Sequence, residues 1–279
     1  MAGTRWPAST LSQDWTKPIE GSVCAVMWPT RSLVGNARWF DELYVWTEGF
    51  QASTMQRARI QFNVLSKACT MLETERVERI AVTLSFGTVE RLLDLVTDTF
   101  DAHPYVAHRL VILLRGQLDR LRSPYRVQGF VDWLRAHRIP VGYRVSAPRV
   151  SMEMRAIDLV RPDFIKVMAP TSKRIEYWQD VVVETRTSGL DPELVIVAGI
   201  EDEIQRQLAI NVGFGFGQGN AIKPAYDPPS TRAATQPGDP STGQPLAPPA
   251  HDPDTRPPTQ VTDINAGPLG LDLNVPSTQ

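Results

Sequence analysis

The sequence has few of the residues from which disulfide and metal scaffolds are built. Two cysteines, Cys24 and Cys69, and four histidines occur in 279 residues, with no pattern of metal-ligand spacing among them. No apolar run approaches the roughly 20 residues that a membrane helix needs. The N-terminal residues also lack the apolar stretch of a secretory signal. These absences argue against a disulfide scaffold, a zinc module and a membrane span, and they predict a cytoplasmic location.

The sequence also has no excess of charge of one sign. The 29 Lys and Arg residues nearly balance the 31 Asp and Glu residues, which leaves a formal net charge of -2. A nucleic-acid polymer is bound largely through an excess of positive charge, so we expect no such partner. Any ligand or partner must therefore be inferred from a local site.

Aromatic residues are absent after Tyr226, and about half of the 23 prolines follow it. A segment without bulky apolar groups cannot offset its ordering entropy by burial, so we predict a disordered, Pro-rich tail at 227–279. The polar residues 1–20 are predicted to be a flexible N-terminus. The folded domain is then 21–226.

Within that domain, short apolar runs alternate with segments of helical period, an order that indicates the α/β class. The predicted strands are 22–27, 79–85, 109–114, 140–145, 163–167, 194–198 and 214–217. The predicted helices are 55–72, 88–100, 125–137, 151–159, 172–188 and 201–212. Continuously apolar strands suit a parallel sheet covered by helices, as in a closed barrel or a doubly wound sheet. In both architectures, functional residues lie at the C-terminal ends of the strands.

Six segments within about residues 75 to 225 carry short motifs in a fixed order. They are AVTLS at 81–85, RLVILL at 109–114, IPVGYRV at 139–145, RPDFIKV at 161–167, VIVAGIE at 195–201, and GQG at 217–219 followed by KP at 223–224. In order and spacing they resemble the VNLS, RLVLEI, DD, PxxIKID, VIAEGVE and QGY/KP motifs of the EAL family of cyclic di-GMP phosphodiesterases. The resemblance implies a modified (β/α)8 TIM-like barrel whose mouth binds cyclic di-GMP and two divalent cations.

The oxygen ligands that the resemblance implies for those cations are missing from this sequence. The positions that should hold them carry Thr83, Leu113, Arg144, Val145, Met168 and Ala198. Aliphatic and thioether side chains do not coordinate a hard cation, and an arginine repels one. The Glu-Ala-Leu motif is also absent, and the stretch Leu33–Trp39 is interpreted as its compressed relic. These substitutions therefore argue against a metal site or a cofactor in this chain.

Five residues remain as candidate ligand-binding residues at the barrel mouth: Arg38, Arg144, Lys166, Glu201 and Gln218. Lys166 either binds a phosphate or pairs with a neighbouring acid. Arg144, with Arg115 and Lys166 as candidate neighbours, either binds a phosphate-bearing ligand without metal, or extends to solvent alone, or pairs with an acid on a helix. Gln218 either hydrogen-bonds a nucleotide or merely occupies a glycine-flanked turn.

The sequence thus predicts a catalytically inactive EAL-like regulatory or signalling module, and the resemblance implies a bacterial cytoplasm. Its predicted partner is a regulatory protein, with cyclic di-GMP as a candidate ligand that is bound without hydrolysis; a homodimer is left open. Two enzymatic alternatives also stay open. One is a divergent cyclic di-GMP phosphodiesterase, and the other is a barrel with unrelated chemistry in which Lys166 acts as a base or forms a Schiff base.

Overall fold

The computed structural model of the protein describes residues 4–7, 22–48, 52–74, 77–147 and 149–229. The strands are β1 (Thr4–Pro7), β2 (Ser22–Ser32), β3 (Arg38–Glu48), β4 (Ile80–Ser85), β5 (Leu110–Arg115), β6 (Val141–Arg144), β7 (Phe164–Met168), β8 (Val195–Ala198) and β9 (Phe216–Gln218). The helices are α1 (Thr54–Glu73), α2 (Phe86–Ala102), α3 (Pro124–Ala136), α4 (Met154–Val160), α5 (Ile175–Thr187) and α6 (Glu203–Asn211). The predicted tail from residue 230 onward lies outside the described residues.

Strands β2 to β9 form a closed barrel in the order of the sequence, because β9 pairs back onto β2. Pairing is parallel from β3 through β9, whereas β2 is antiparallel to both of its barrel neighbours. Helices follow most of the parallel strands, so the predicted α/β barrel of modified TIM type is confirmed. Strand β1 adds to β2 outside the closed barrel and falls within the stretch predicted to be a flexible N-terminus.

The hairpin of β2 and β3 was not predicted as such. Strand β2 continues past the predicted end at Met27 and includes Pro29. On the β9 side of β2, Pro29 lies between Met27, which bridges to Tyr226, and Arg31, which pairs with β9. A proline is tolerated there because its position needs no ladder donor. The turn uses Asn36 at φ 53°, a left-handed conformation that asparagine adopts readily. The Gly-Asn pair of this turn is a hairpin signal in the sequence.

Helix starts are set by local capping. Ser53 accepts a hydrogen bond from the backbone N–H of Gln56, and the Gln56 side chain accepts one from the Ser53 backbone in return, which begins α1. Ser85 caps α2 through the Thr88 backbone N–H, so the helix begins at Phe86, two residues before the predicted start. Of the helices in the described ranges, none has the length and apolar character needed to cross a bilayer.

The barrel interior opposite the C-terminal ends of the parallel strands is filled by apolar side chains. Its members are Phe40, Ala81, Val111, Leu113, Phe164 and Ile196, with Trp39 and Phe216 packed against them. The Trp39 ring lies 4.3 Å from that of Phe216 and 4.7 Å from that of Phe164, between centroids. This packing closes one end of the barrel, so the open end, the mouth, is where the parallel strands finish.

Gly142 in β6 faces this interior, and a side chain there would collide with Phe164 and come within 2.9 Å of Leu113. We expect Gly142→Ala to lower the free energy of unfolding by about 1–3 kcal/mol, because the added methyl overpacks a filled core. The measurement is urea unfolding of the full chain. Gly129→Ala is the matched control, since Gly129 is exposed in α3 with open space around it. That change should raise stability by about 0.5–1 kcal/mol through helix propensity. Equal effects at both positions would contradict the packing argument.

Candidate functional site

A cluster of polar side chains lies inside the barrel, between the apolar end and the mouth. Glu42 of β3, Lys166 of β7 and Gln218 of β9 are buried, with exposed fractions of 1%, 5% and 4%. They come from three strands and meet because alternate residues of a strand face the same side of a sheet. Thr30 of β2 and Thr83 of β4 complete the cluster.

The side chains of this cluster hydrogen-bond to one another. The Lys166 ammonium donates to Glu42 Oε2 and to Gln218 Oε1. The Gln218 amide donates to the Trp28 carbonyl at 3.1 Å and to Glu42 Oε2 at 3.2 Å. Thr83 donates to the other oxygen of Glu42 at 3.1 Å. A buried charge is costly unless it is paired and hydrogen-bonded, and both conditions hold for Glu42 and Lys166.

The charge on Glu42 is fixed by its neighbours. Burial alone would raise the pKa of this carboxyl, but Lys166 and then Arg144 outweigh it and hold the pKa below its ordinary value. Burial lowers the pKa of Lys166, an effect that the Glu42 carboxylate opposes. The carboxylate is therefore ionised at neutral pH and committed to groups of the protein itself.

The mouth above this cluster is basic. Arg115 ends β5 and Arg144 ends β6, and both line a cavity of about 90 Å³ together with Tyr44, Gln61 and Thr83. The Arg144 guanidinium lies 5.9 Å from the centre of the Tyr44 ring, within cation–π range. Burial and the like charge of Arg144 lower the pKa of Arg115. Among the residues that the structure describes, neither guanidinium has a hydrogen-bonded or ion-paired partner.

The structure brings together three of the five predicted site residues. Lys166 and Gln218 are in direct contact, and Arg144 lies close enough to influence the pKa of Lys166. Lys166 pairs with an acid, which is the structural alternative that the sequence left open. That Arg144 and Arg115 would be neighbours was also anticipated from the sequence, and they line one cavity.

Arg38 is not at the mouth, and its placement there was wrong. It is the first residue of β3, at the end where the parallel strands begin, and its guanidinium pairs with Asp41. Tyr226 donates a second hydrogen bond to the same carboxylate. The error arose because Leu33–Trp39 was taken as a compressed relic of the Glu-Ala-Leu motif. That stretch is instead the β2–β3 turn and the first residues of β3, so Arg38 is a structural residue.

Glu201 lies beyond the end of β8 on the mouth side but outside the polar cluster. It is exposed, and its carboxylate accepts a hydrogen bond from the Asn220 side chain. Its backbone N–H donates to Gln205 at 2.8 Å, which positions the start of α6. The structure does not bring Glu201 to Lys166.

Glu42 is the residue that sequence reasoning missed. It lies three positions beyond the stretch interpreted as the relic motif, in a strand that was not predicted. The alternation of Phe40, Glu42 and Tyr44 on one face of a run that is otherwise apolar and aromatic apart from Asp41 is the signal that could have found it. A carboxylate on the inward face of a buried strand needs a cation, and Lys166 is the residue that supplies it.

The donors at this site do not fit two divalent cations. Mg²⁺ and Mn²⁺ need several oxygen ligands, whereas Glu42 already binds Lys166 and lies near Arg144. Leu113 belongs to the buried interior core, and Met168 at the end of β7 offers only a thioether. Within the described ranges, no group of three or more His, Cys, Asp or Glu side chains could hold a metal ion.

No protein-family model matches the sequence, and no curated protein matches it. Solved structures do match, with TM-scores of 0.55 and 0.56 in the three cases that follow. The PaMucR phosphodiesterase in complex with c-di-GMP is 15% identical over 74% of this chain and 92% of its own. An EAL domain protein from Listeria monocytogenes EGD-e is 13% identical over 73% of this chain and 88% of its own. The EAL domain of Mycobacterium smegmatis DcpA is 11% identical over 73% and 93%.

Other matches belong to longer chains, such as the EAL enzyme Bd1971 with cAMP and cyclic-di-GMP bound, of which this chain spans 62%. At such low identities the likeness establishes the fold and not the chemistry. The chain therefore has an EAL-like barrel, as the resemblance in the sequence implied.

The buried ion pair gives a stability prediction. We expect Lys166→Met to lower the free energy of unfolding by about 3–5 kcal/mol, because it leaves Glu42 buried without its ammonium. The loss should shrink in acid. The pKa of Glu42 is held below its ordinary value of 4.5, so its contribution is complete above that pH and disappears as the pH falls through the lower folded pKa.

Lys173→Met is the matched control, because Lys173 pairs with Asp202 but is 53% exposed. Its effect on stability should be far smaller, since surface pairs are weak. Urea unfolding of both variants at neutral and acidic pH measures the difference. Similar losses for the two lysines would show that the buried pair is not a major source of stability.

Proposed function

We propose that this protein is a catalytically inactive EAL-like regulatory module that acts by binding another protein. The observation that carries the proposal is the set of side chains at the mouth, which differs from the set that metal-dependent hydrolysis needs. Where metal-dependent hydrolysis needs several hard oxygen ligands, the barrel presents Arg115, Arg144 and a carboxylate that is neutralised by Lys166. Such a set can hold an anion but cannot lower the pKa of a metal-bound water.

Apolar side chains at the mouth end support a protein partner. Met168 ends β7 and is 58% exposed, while Tyr177 and Ile204, near the starts of α5 and α6, are 51% and 56% exposed. In a barrel of this type, the beginning of each helix lies near the end of the strand before it. Exposed apolar residues that gather at one end of a domain are typical of an interaction surface.

The proposal predicts that cyclic di-GMP stays intact. We expect no linear product when the full chain is incubated with cyclic di-GMP and excess Mn²⁺ or Mg²⁺, because the donor set does not fit the cations. Chromatography of the nucleotides measures the outcome, with the PaMucR phosphodiesterase as a positive control. Steady turnover that depends on metal and is lost in Lys166→Ala would overturn the proposal and favour a divergent phosphodiesterase.

A second candidate function is the binding of cyclic di-GMP without hydrolysis. It is favoured by Arg144, a half-buried guanidinium at the mouth without a hydrogen-bonded or ion-paired partner in the described residues. Guanidinium groups pair well with phosphates. Against it stand the small cavity and the apolar residues Leu113 and Ala198, which offer no polar partner to a dinucleotide that leaves water.

Calorimetric titration separates the two candidates. We expect cyclic di-GMP to bind weakly or not at all, and any binding to be insensitive to chelator and to weaken with salt, since it would depend on arginine rather than on a metal. A submicromolar dissociation constant that survives chelation and is lost in Arg144→Ala would reclassify the protein as a nucleotide receptor. A constant that depends on Mn²⁺ would contradict the metal-free mouth itself.

A further inference from the structure

We propose that the cavity at the barrel mouth is a binding site for a single phosphate group, either free phosphate or the terminal group of a phosphomonoester, held by Arg115 and Arg144. The inference deepens the proposed function and rests on it in one respect, namely that the mouth works without metal. It names a ligand class that differs from the dinucleotide bound in the neighbouring structures.

Charge is the first argument. Arg115 and Arg144 are half-buried, lie close enough for each to oppose the charge of the other, and have no acid paired with them in the described part of the chain. The Glu42 carboxylate attracts both guanidinium groups, but its direct ion-pair partner is Lys166. Two neighbouring guanidinium groups without a counter-ion are repulsive, and an anion with two or three charged oxygens relieves that repulsion.

Donor geometry is the second argument. Gln61 of α1 lines the same cavity, and its Oε1 accepts from the Ser85 backbone at 2.8 Å and from the Thr88 hydroxyl at 2.6 Å. These two bonds fix the amide and leave its NH₂ group as the donor available to a ligand. The cavity thus combines two planar guanidinium forks with one oriented amide donor, a set that suits the oxygens of a phosphate.

Size is the third argument and separates a phosphate group from a dinucleotide. The cavity holds about 90 Å³, whereas pockets that enclose drug-sized ligands measure roughly 300–1,000 Å³. Leu43, Val45 and Val64 form its apolar walls. A phosphate group enters such a space, and any organic part of a monoester stays at the open rim beside Tyr44.

The test is a titration of the full chain, followed by calorimetry and by the melting temperature. The ligands are inorganic phosphate, phenyl phosphate and cyclic di-GMP in low-salt buffer with chelator. We expect saturable binding of inorganic phosphate or phenyl phosphate that weakens with added salt. Arg115→Gln and Arg144→Gln should each weaken it by about tenfold or more, the loss of one charge-assisted hydrogen-bonding partner.

Arg120→Gln is the matched control, because Arg120 is an exposed arginine in the loop that follows β5 and does not line the cavity. It should leave phosphate binding unchanged. In phosphate-free buffer Arg144→Gln should melt close to the temperature of the unaltered protein, because the repulsion from Arg115 that it removes is offset by the lost attraction to Glu42 and the lost contact with the Tyr44 ring. A large loss of stability in that buffer would assign Arg144 a structural role and overturn the inference.

Each of the remaining outcomes of the titration also supports or refutes the phosphate site. Tighter binding of phenyl phosphate than of inorganic phosphate assigns the site to phosphomonoesters, and the reverse order assigns it to the free anion. Absence of phosphate binding, or binding that is unchanged in Arg144→Gln, would refute the phosphate site. In that case, the proposed function would still hold if cyclic di-GMP stays intact in the hydrolysis assay. Hydrolysis of cyclic di-GMP would refute the proposed function whatever the phosphate result.

Discussion

The ion pair between Glu42 and Lys166 is the interaction on which the interior of this barrel depends. It joins β3 to β7 across the barrel, and Gln218 of β9 binds both partners. Because all three are buried, removal of one leaves the others without the partners that offset their desolvation. Because Glu42, the one carboxylate of the cluster, is paired with Lys166, it is not available to bind another group. The same contacts therefore determine both the stability of the barrel and the chemistry of its mouth.

The mouth differs from that of a metal-dependent hydrolase in the sign of its charge. Arg115 and Arg144 end neighbouring strands, where carboxylates would be needed to hold a divalent cation. Basic side chains at strand ends repel a cation and attract an anion. The barrel thus illustrates why function is argued from the site and fold from the packing.

Much of the fold could be predicted from the sequence, because β4 to β8 are buried on both faces and appear as continuous apolar runs. Lys166 was found because it lies in the motif of β7, and Gln218 because it lies in the glycine-flanked motif of β9. Strand β3 could not be read in this way, since its inward residues alternate aromatic and acidic. Glu42 was missed with it, and Arg38 was placed at the wrong end because the stretch that contains it was interpreted as a relic of the Glu-Ala-Leu motif.

The closure of the barrel has a further consequence. Strand β9 pairs with β2 through only Arg31 and Ser32, so this seam has little backbone ladder. The Gln218 side chain crosses it to the Trp28 carbonyl and the Thr30 hydroxyl. The Gln218 side chain, which also binds Lys166, therefore joins β9 to β2 inside the barrel. A change in the charge or position of Lys166 therefore alters not only its pairing with Glu42 but also the side chain that joins β9 to β2.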